Sequence, residues 1–525
     1  MKPKLTLGIE FSTQSVKIVV LDLTADSVIF TSKFDYDSSF PEYKTSGGIL
    51  PSSIPQQRHT SPYMLIETID KAFSHLNKNN IPLSQIRAIK CDAMQHCTVY
   101  TNNSFETIIK SLNPNKNLLY QLTPCISRPV SPIWEDRGTQ KQADLLNKSA
   151  GTSGKITKLT GNKAELRFPA VQIMKWAEEY PEQYNNTSNI FLLSAFISSV
   201  LAGTIAPVDT GDGWGTNLNT ININNPGWNG TAINYIDKYF KSIGIKQPLT
   251  DKLGNMAHYD AIIGKINKYF AAKYGINPNC IVLAGTGDNP ATLLGCGGNI
   301  VISLGSSYTV NGIMTKIVPS LTGEYNVFGY TKGTAMALSC ITNGGKVHNE
   351  FMEKYLRRTD WEHYIATAGA NILEKSEKLM LPYLMDESVP VHKHGIIREN
   401  FTNNCPGHDI RALHISQILS LRLHSSHLGK VSRICVVAGG SKNRFLRQLI
   451  SDMFNVETYT IKNSDYAAPL GCAISAAKTI LKITYPESAS RFVQEETDSV
   501  LYPIKENVPK IKILSSRYSK LEKSG

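Results

Sequence analysis

The stretch AGTGDNPATLL at residues 284–294 decides the fold, because it joins a strand pattern to a helix pattern through a glycine-rich turn. Residues 280–283 read CIVL, an apolar run that predicts a buried strand. Pro290 suits the first position of a helix, where its missing N–H group costs nothing, and Asn289 before it is a natural N-cap. We therefore expect Asp288 just outside the helix, at the carboxyl end of a strand.

Asp288 is the first candidate for a catalytic residue. Open α/β sheets bind ligands at the carboxyl ends of their strands, and a carboxylate at such an end can act as a general base. The alternative is that Asp288 only caps the helix, and this stretch alone favours that alternative. The other motifs of the chain reverse this preference.

Length and composition limit the classes of protein that the sequence fits. A chain of 525 residues exceeds one typical core, so we expect two large domains. Hydrophobic residues make up 41% and charged residues 19%, which is ordinary for a globular protein. Neither a signal peptide nor a long apolar segment is visible, so we expect no membrane partner. The nine cysteines show no paired framework or metal-binding spacing, which favours a cytoplasmic location.

The net charge of +12 raises the question of nucleic-acid binding. Lysine and arginine are spread along the chain, with local enrichment only after about residue 500. No zinc-finger, helix-turn-helix or aromatic RNA-binding pattern accompanies them. We therefore expect no nucleic-acid partner, and dispersed positive charge that helps to attract small anions such as nucleotides.

The N-terminus carries the second strong signal. Residues 5–10 and 16–22 are strand-like runs joined by the turn FSTQS at residues 11–15, and residues 28–34 continue as a third strand. Hydroxyl and amide side chains, together with free N–H groups of the turn, can hold phosphate oxygens. Lys17 follows at the start of the second strand. The alternative is an ordinary polar hairpin, which the motif in isolation favours.

Two further polar groups follow predicted strands. The strand pattern at residues 86–91 leads into a polar run that contains His96, which could bond a substrate hydroxyl or simply be a buried, satisfied histidine. Trp134 and Asp136 follow another strand-like run. An aromatic ring can cover the apolar face of a sugar while a carboxylate accepts its hydroxyls. These positions indicate a sugar site.

The C-terminal half contains the same sequence pattern as the N-terminal hairpin. Residues 300–310 form strand, hydroxyl-rich turn and strand, which suggests duplication of one α/β unit. A buried strand at residues 434–438 then meets Gly439 and Gly440, with a helix starting near Ser441. Two glycines allow a planar ligand to approach the backbone, and a helix N-terminus suits phosphate oxygens. The alternative is a glycine-dependent tight turn, and a Rossmann dehydrogenase is disfavoured because the GxGxxG fingerprint is missing.

Other segments give coarser predictions. Residues 190–202 and 259–274 predict helices, and residues 465–482 predict a helix of small residues that can pack closely. The acidic loop at residues 209–215 lacks the spacing of a calcium-binding EF-hand. From about residue 500 the chain is basic and low in pattern, so we expect it to be loosely ordered.

Taken in order, these motifs resemble the FGGY family of carbohydrate kinases, and within it the xylulokinases of eukaryotic type, from Gly8 to about Ala476. The resemblance assigns Asp288 as the catalytic base and Glu10 as the metal-binding position. It implies a sugar site formed by Gln95, His96, Trp134, Asp136, Arg167, Asp288 and Asn289. It implies an ATP site formed by Ser12, Thr13, Gln14, Lys17, Gly305, Ser306, Ser307, Trp361, Gly439, Gly440 and Asn443.

The resemblance also implies a fold and a reaction. The fold is α/β, with two actin-like ATPase domains of ribonuclease H type that flank a central cleft. The expected boundaries are residues 1–296 and 297–500, followed by a basic tail at residues 501–525. The reaction transfers the γ-phosphate of ATP, with Mg²⁺, to a hydroxyl of D-xylulose, in a monomer or a homodimer.

Two departures from the family pattern keep alternatives open. Glu10 stands where relatives carry aspartate. Ala93 and Cys97 stand where relatives carry glycines on either side of the pair Gln95 and His96. Side chains in place of these glycines narrow the sugar pocket. A kinase that acts on another ketose or a polyol, such as ribulose, therefore stays an alternative. A non-catalytic sugar sensor is disfavoured because Asp288 and both hairpins are present. An ATPase acting on proteins is disfavoured because the sequence shows no peptide-binding domain.

Overall fold

The computed structural model of the chain describes residues 3–149, 154–298, 300–314, 316–331, 333–356, 360–402, 405–428 and 431–524. Within these ranges the chain forms two α/β halves, each built on one large β-sheet.

The N-terminal half begins with a three-stranded antiparallel unit and then alternates short strands with helices. Its strands are β1 (Leu5–Phe11), β2 (Ser15–Asp22), β3 (Ser27–Asp35), β4 (His59–Thr60), β5 (Ile86–Ala93), β6 (Thr98–Thr101), β7 (Ser131–Pro132), β8 (Asn189–Leu192), β9 (Val208–Asp209), β10 (Met256–Ala257), β11 (Ile262–Lys265), β12 (Ile281–Leu283) and β13 (Thr286–Gly287). Its helices are α1 (Tyr36–Ser39), α2 (Pro62–Lys78), α3 (Phe105–Lys110), α4 (Leu118–Leu122), α5 (Gln140–Ser149), α6 (Lys155–Thr160), α7 (Pro169–Glu179), α8 (Pro181–Asn186), α9 (Leu193–Ala202), α10 (Thr210–Gly213), α11 (Gly230–Ser242), α12 (Lys268–Tyr274) and α13 (Asp288–Gly295).

The C-terminal half begins in the same way. Its strands are β14 (Ile300–Leu304), β15 (Tyr308–Met314), β16 (Asn326–Gly329), β17 (Ala335–Ile341), β18 (Met380–Tyr383), β19 (Glu387–Ser388), β20 (Val391–His392), β21 (Gly395–Arg398), β22 (Arg433–Val437) and β23 (Glu457–Tyr459). Its helices are α14 (Gly345–Leu356), α15 (Trp361–Thr367), α16 (Pro406–Leu423), α17 (Arg444–Phe454), α18 (Ala467–Leu481), α19 (Tyr485–Phe492) and α20 (Val508–Ser524).

Five strands of each large sheet share one topology, β12-β5-β1-β2-β3 in the first and β23-β22-β14-β15-β17 in the second. In the first sheet the order is β11-β12-β5-β1-β2-β3, with β13 also paired to β5; β1, β2 and β3 are antiparallel, and β5 and β12 run parallel to β1. In the second sheet the order is β16-β17-β15-β14-β22-β23; β14, β15 and β17 are antiparallel, and β22 and β23 run parallel to β14. This is the repeat that the two hairpin motifs predict.

Helices α13 and α18 join the two halves. A single apolar cluster contains residues of β2, α13, β22 and α18, so both sheets contribute to it. The helices approach so closely that a Cβ atom on Gly471 would lie 2.0 Å from the carbonyl oxygen of Ala291, and one on Gly295 would lie 1.8 Å from that of Ala467. Small residues at 465–482 therefore serve the close packing that the sequence predicts.

Long-range pairing changes one predicted element. Residues 259–274 were expected to form one helix, and this is wrong, because β11 occupies the first part and α12 only the end. Strand β11 pairs antiparallel with β12 at the sheet edge. Its two isoleucines, Ile262 and Ile263, are β-branched and favour that extended backbone.

The basic tail is ordered, contrary to expectation. Helix α20 buries Ile511, Leu514, Tyr518 and Leu521, whose spacing forms one apolar stripe against the core of the C-terminal half. Arg517, at the edge of this stripe, forms an ion pair with Glu399. No helix in the described ranges combines the length and apolar character needed to cross a membrane.

Candidate active site

Three carboxylates lie together at the carboxyl edge of the first sheet. Glu10 in β1 pairs in register with Asp92 in β5, and Asp92 pairs with Thr286 in β13, two residues before Asp288. Glu10 and Asp92 are 6% and 0% exposed. Their charges therefore interact through protein rather than through bulk water, at the edge of the sheet where ligands are expected.

The start of helix α13 fixes the surroundings of Asp288. The prediction that Asn289 is the N-cap is wrong, because the helix begins at Asp288 and Gly287 is the cap. Pairing of β13 with β5 holds the chain extended only as far as Gly287. Asn289 Nδ2 donates to Asp288 Oδ1 (2.9 Å) and to Gln95 Oε1 (2.6 Å). Three predicted site residues thus form one hydrogen-bonded group.

The proton affinity of Asp288 suits a base. Burial raises the pKa of Asp288 to about 7, and the Glu10 carboxylate adds to the rise. Backbone N–H groups of Asn289 and Gln95 and the charge of Lys17 oppose it. A base whose pKa lies close to the working pH combines adequate ionisation with adequate proton affinity.

This pKa predicts a pH dependence of catalysis. Because the folded pKa lies above the ordinary value of 3.8, the ionised form of Asp288 predominates only above about pH 7 and is lost as the pH falls through that value. We expect kcat/KM to fall about tenfold per pH unit below pH 7, as measured by initial rates between about pH 5 and pH 9. A profile that stays flat down to pH 5 would contradict the role of Asp288 as base.

Sequence reasoning missed Asp92. Its Oδ2 atom accepts a bond from the Cys472 thiol at 3.3 Å, and its buried Oδ1 atom has no hydrogen-bond partner within the described part of the chain. Burial raises the pKa of Asp92 well above its usual value, and the Glu10 and Asp288 carboxylates raise it further. The available signal was the run of charged residues, Lys90 and Asp92, on alternate positions of a central strand that is otherwise mostly apolar.

Lys90 in the same strand was also missed. Its Nζ atom donates to the carbonyl oxygens of Tyr259 (2.7 Å) and Ala284 (2.5 Å), and it lies 3.8 Å from Asp209 Oδ2. Lys90 is completely buried. It therefore connects β5 to the loop before β13, the strand that leads directly into Asp288 at the start of α13.

Glu10 and Asp92 supply carboxylate oxygens, the ligands that Mg²⁺ prefers. Glu10 Oε2 lies 3.0 Å from Lys17 Nζ, and burial raises the pKa of Glu10 while Lys17 offsets part of the rise. No group of three or more His, Cys, Asp or Glu side chains in the described residues could hold a metal by itself. Mg²⁺ needs few protein ligands because it keeps several waters and binds phosphate oxygens. Glu10, beside the unpartnered Asp92 Oδ1, fits that requirement.

The first hairpin has the form of a phosphate cradle. Its turn is closed by Ser12, whose N–H and hydroxyl both donate to the Ser15 carbonyl, at 3.0 and 2.8 Å. The amides of Thr13 and Gln14 find no acceptor among the residues that the structure describes. Trp134 Nε1 donates to Thr13 Oγ1 at 2.9 Å. The structure thus brings a predicted sugar residue to the predicted phosphate turn.

His96 is a neutral hydrogen-bonding group. Its ring stacks on Phe168 at 4.5 Å, and Nδ1 lies 2.9 Å from the Gly215 carbonyl, which can only accept. Burial, with help from Arg167, lowers the pKa of His96 to about 3. Nδ1 therefore carries the proton, and Nε2 is an acceptor. The backbone φ of +69° at His96 is a strained conformation of a kind often found at functional sites.

Arg167 lies at the junction of the two halves. Its Nη2 atom lies 2.9 Å from Glu165 Oε2 and 3.4 Å from Asn326 Oδ1 on β16. Its buried Nε atom has no partner in the described ranges. The guanidinium thus retains a donor beside His96.

Asp136 is placed differently from the other predicted sugar residues. It is 2% exposed, and four donors surround its carboxylate: the N–H groups of Arg58 and Gly138, Gln172 Nε2 and His59 Nε2. Burial opposes ionisation of Asp136, but these bonds outweigh it and lower the pKa to about 2. The carboxylate therefore anchors the loop that carries Trp134, which is 40% exposed.

The second hairpin lies against the glycine motif. Gly305 and Ser306 accept through their carbonyls from the N–H groups of Gly345 (3.0 Å) and Lys346 (3.2 Å). A Cβ atom on Gly440 would lie 2.6 Å from Leu304 Cβ, so only glycine allows this approach. Ser307 closes the turn before β15, and space lies open beside Gly439.

Asn443 and Trp361 border the same region. Asn443 caps α17 by accepting from Leu446 N–H at 3.1 Å, and its Nδ2 lies 3.3 Å from His414 Nε2. Trp361 begins α15, is 45% exposed and contacts Tyr364 edge-on at 5.7 Å. The adenosine-binding roles of both residues stay predictions.

Comparison with known families decides the identity. The model described as the FGGY family of carbohydrate kinases, N-terminal domain, matches residues 5–295, and the model of the family's C-terminal domain matches residues 301–480. The chain belongs to the FGGY family of carbohydrate kinases. It is therefore an ATP-dependent sugar kinase, with ATP and a sugar as small-molecule partners.

Individual members of the FGGY family agree with this identification. The chain is 31% identical over 497 residues to xylulose kinase 2 of Arabidopsis thaliana, covering 90% of this chain and 87% of the relative. It is 30% identical over 519 residues to D-xylulose kinase A of Aspergillus niger, covering 91% and 89%. A crystal structure of a xyloylose kinase from Brucella ovis, 16% identical, superposes with a TM-score of 0.80 over 99% of both chains.

These findings confirm the predicted resemblance to the FGGY family and its xylulokinases, and the fold of two actin-like ATPase domains. They do not assign roles to individual residues. The roles of Glu10, Asp288, the hairpins and the sugar residues therefore enter as proposals.

Proposed function

We propose that this FGGY kinase transfers the γ-phosphate of ATP to a hydroxyl of D-xylulose and forms D-xylulose 5-phosphate. Curated relatives that carry the name xylulose kinase, about 30% identical over nine-tenths of the chain, support the choice of sugar. The observation that carries the mechanism is the half-buried carboxylate of Asp288, with a pKa of about 7 and a bond from Asn289.

Asp288 orients the attacking hydroxyl and accepts its proton as the new O–P bond forms. Gln95 and Asn289 hold the carboxylate in place through the bonds that join them. His96 accepts a bond from a sugar hydroxyl through Nε2, and Arg167 donates to a sugar oxygen. Trp134 covers the sugar, and Asp136 acts by holding the Trp134 loop.

The two hairpins hold the phosphates. Ser12, Thr13 and Gln14 on one side, and Gly305, Ser306 and Ser307 on the other, offer N–H and hydroxyl groups, with Lys17 adding charge. Glu10, with Asp92 beside it, is the position for Mg²⁺, which neutralises phosphate charge in such transfers. Trp361, Gly439, Gly440 and Asn443 bind the adenosine. Closing the halves over the substrates excludes water from the transferred phosphate.

We assign different binding roles to the two domains. We place the boundary at residue 296, between the family matches that end at residue 295 and begin at residue 301. Residues 1–296 bind the sugar and carry the first phosphate hairpin and Asp288. Residues 297–500 carry the second phosphate hairpin and bind adenosine, and residues 501–525 form the basic tail. All nine cysteines are free thiols, which supports a cytoplasmic location. The assembly is a monomer or a homodimer.

A sugar panel tests the substrate. We expect ADP release with Mg²⁺-ATP to show kcat/KM for D-xylulose at least about tenfold above that for D-ribulose, glycerol or gluconate. Ala93 and Cys97 are completely buried beside Gln95 and His96. Because they narrow the pocket relative to glycine, ribulose or another ketose or polyol is the second candidate. A higher value for any of these would replace D-xylulose, and no ADP release with any sugar would favour a sugar sensor.

His96→Phe tests the sugar contact. Phenylalanine keeps the stacking on Phe168 but removes both ring nitrogens, so we expect KM for the sugar to rise about tenfold and KM for ATP to stay unchanged. The matched control is His75→Phe, because His75 is a hydrogen-bonded histidine of the same half, bound to Ser32. An unchanged sugar KM in a folded His96→Phe enzyme would remove His96 from the sugar site.

A further inference from the structure

A chain of buried side chains runs through the C-terminal half from the helix of Trp361 to the second hairpin. Its members are Tyr364 on α15, His348 on α14 and Gln417 on α16. They are 0%, 3% and 2% exposed. Buried polar groups of this kind destabilise the protein unless each has a hydrogen-bond partner. A chain in which every group is paired therefore has a single arrangement of hydrogen bonds.

The direction of each bond in this chain is fixed. Gln417 Nε2 lies 2.7 Å from the Asn343 carbonyl and 3.1 Å from the Gly344 carbonyl, and carbonyls only accept. Gln417 Oε1 must then accept from His348 Nε2, at 2.7 Å. A neutral His348 has its acceptor at Nδ1, which receives the Tyr364 hydroxyl at 2.9 Å.

One end of the chain supports the second hairpin. Residues 343–345 carry the carbonyls that Gln417 holds, and Gly345 N–H donates to the Gly305 carbonyl at 3.0 Å. A Cβ atom on Gly344 would lie 2.6 Å from the carbonyl carbon of Ser307 and from the backbone nitrogen of Tyr308. Because the contact is between two backbones, a shift of residues 343–345 moves the hairpin.

The other end of the chain reaches the residues proposed to bind adenosine. Tyr364 contacts the Trp361 ring at 5.7 Å and the His414 ring at 5.6 Å. His414 Nε2 in turn lies 3.3 Å from Asn443 Nδ2. Two of the four residues proposed to bind adenosine, Trp361 and Asn443, thus contact Tyr364 directly or through the His414 ring.

We propose that His348 and Gln417 are positioning residues that couple the adenosine site to the phosphate hairpin at residues 305–307. Adenosine bound beside Trp361 and Asn443 fixes Tyr364, and the chain of bonds then fixes residues 343–345 and the hairpin above them. Neither residue touches the nucleotide. This inference rests on the proposed positions of adenosine and phosphate.

The test compares Gln417→Met with Gln448→Met. Methionine keeps the length of glutamine and removes both polar groups. Gln448 is a matched control, since it is buried in the same half and bonds Asp452 and the Tyr502 carbonyl. By calorimetry of the full chain with Mg²⁺, we expect Gln417→Met to weaken ADP binding about tenfold and adenosine binding less than about twofold, and Gln448→Met to change neither.

The remaining outcomes decide against the proposal or against the proposed function. A folded Gln417→Met that binds ADP like the wild type, or that loses adenosine and ADP equally, overturns the coupling. If Gln417→Met does not fold, Tyr364→Phe, with Tyr518→Phe as its control, should weaken ADP binding about threefold, and no change overturns the coupling. If the wild-type protein binds ADP but phosphorylates no sugar, the proposed function is refuted, but the coupling is not.

Discussion

Asp288→Asn should lower kcat by about 10³-fold while the dissociation constant of the sugar changes less than about twofold. Asparagine keeps the shape of the side chain and one oxygen that can accept from Asn289. It removes the negative charge and the basic oxygen that takes the proton of the sugar hydroxyl. Since most of the proposed sugar contacts come from other residues, the loss should appear in turnover rather than in affinity.

Rapid-quench measurement of phosphoryl transfer and calorimetry with the sugar check this result. Asp70→Asn is the control, because Asp70 is a buried carboxylate of the N-terminal half, bonded to Tyr269 and Tyr274. Asp70→Asn should lose stability but keep kcat within about twofold. Near-normal turnover of Asp288→Asn would refute the assignment of the base, and a variant that no longer binds sugar would make Asp288 a binding residue.

Gly471→Ala should lower the free energy of unfolding by about 3 kcal/mol and remove most activity. The new methyl group would lie 2.0 Å from the Ala291 carbonyl oxygen and 2.9 Å from the Gly295 nitrogen. All of these are backbone atoms, so no side chain can rotate away, and α13 and α18 must separate. Because α13 begins at Asp288, their separation also displaces the proposed base.

Urea unfolding followed by fluorescence measures the first effect, and ADP release measures the second. Gly230→Ala is the matched control, since Gly230 begins α11 and no atom of the described residues lies within 4 Å of the place that its new methyl group would take. It should change stability by less than about 1 kcal/mol. A Gly471→Ala protein that is as stable and as active as the wild type would show that the two helices can adjust without cost.

The hairpins illustrate what could be predicted from sequence. Strands β1 and β2, and later β14 and β15, are close along the chain, and their turns contain small and hydroxyl residues. Apolar runs and turn residues are local signals, so their interpretation as hairpins did not require knowledge of the fold. The same holds for the strand before Asp288 and for helix α2, whose apolar spacing is regular.

The segments that were wrongly predicted depend on distant partners. Residues 262–265 became a strand because β12 offers an edge. Helix α20 is ordered because the core of the C-terminal half covers its apolar stripe. Asn289 is not the cap because β13 pairs with β5, nearly two hundred residues away in the chain. In each case a long-range contact outweighed a local preference.

By itself, the sequence determined the order and type of the motifs, which sufficed for the family, the two hairpins and the position of Asp288 at a strand end. Only the tertiary structure decided what those residues touch. It brought Asp92 beside Glu10. It placed Asp136 where its carboxylate anchors the loop that carries Trp134. It also connected Tyr364, through the side chains of His348 and Gln417, to residues 343–345. The reason is physical: turn and strand patterns arise between neighbours, whereas burial, raised pKa values and hydrogen-bond partners arise where distant segments meet.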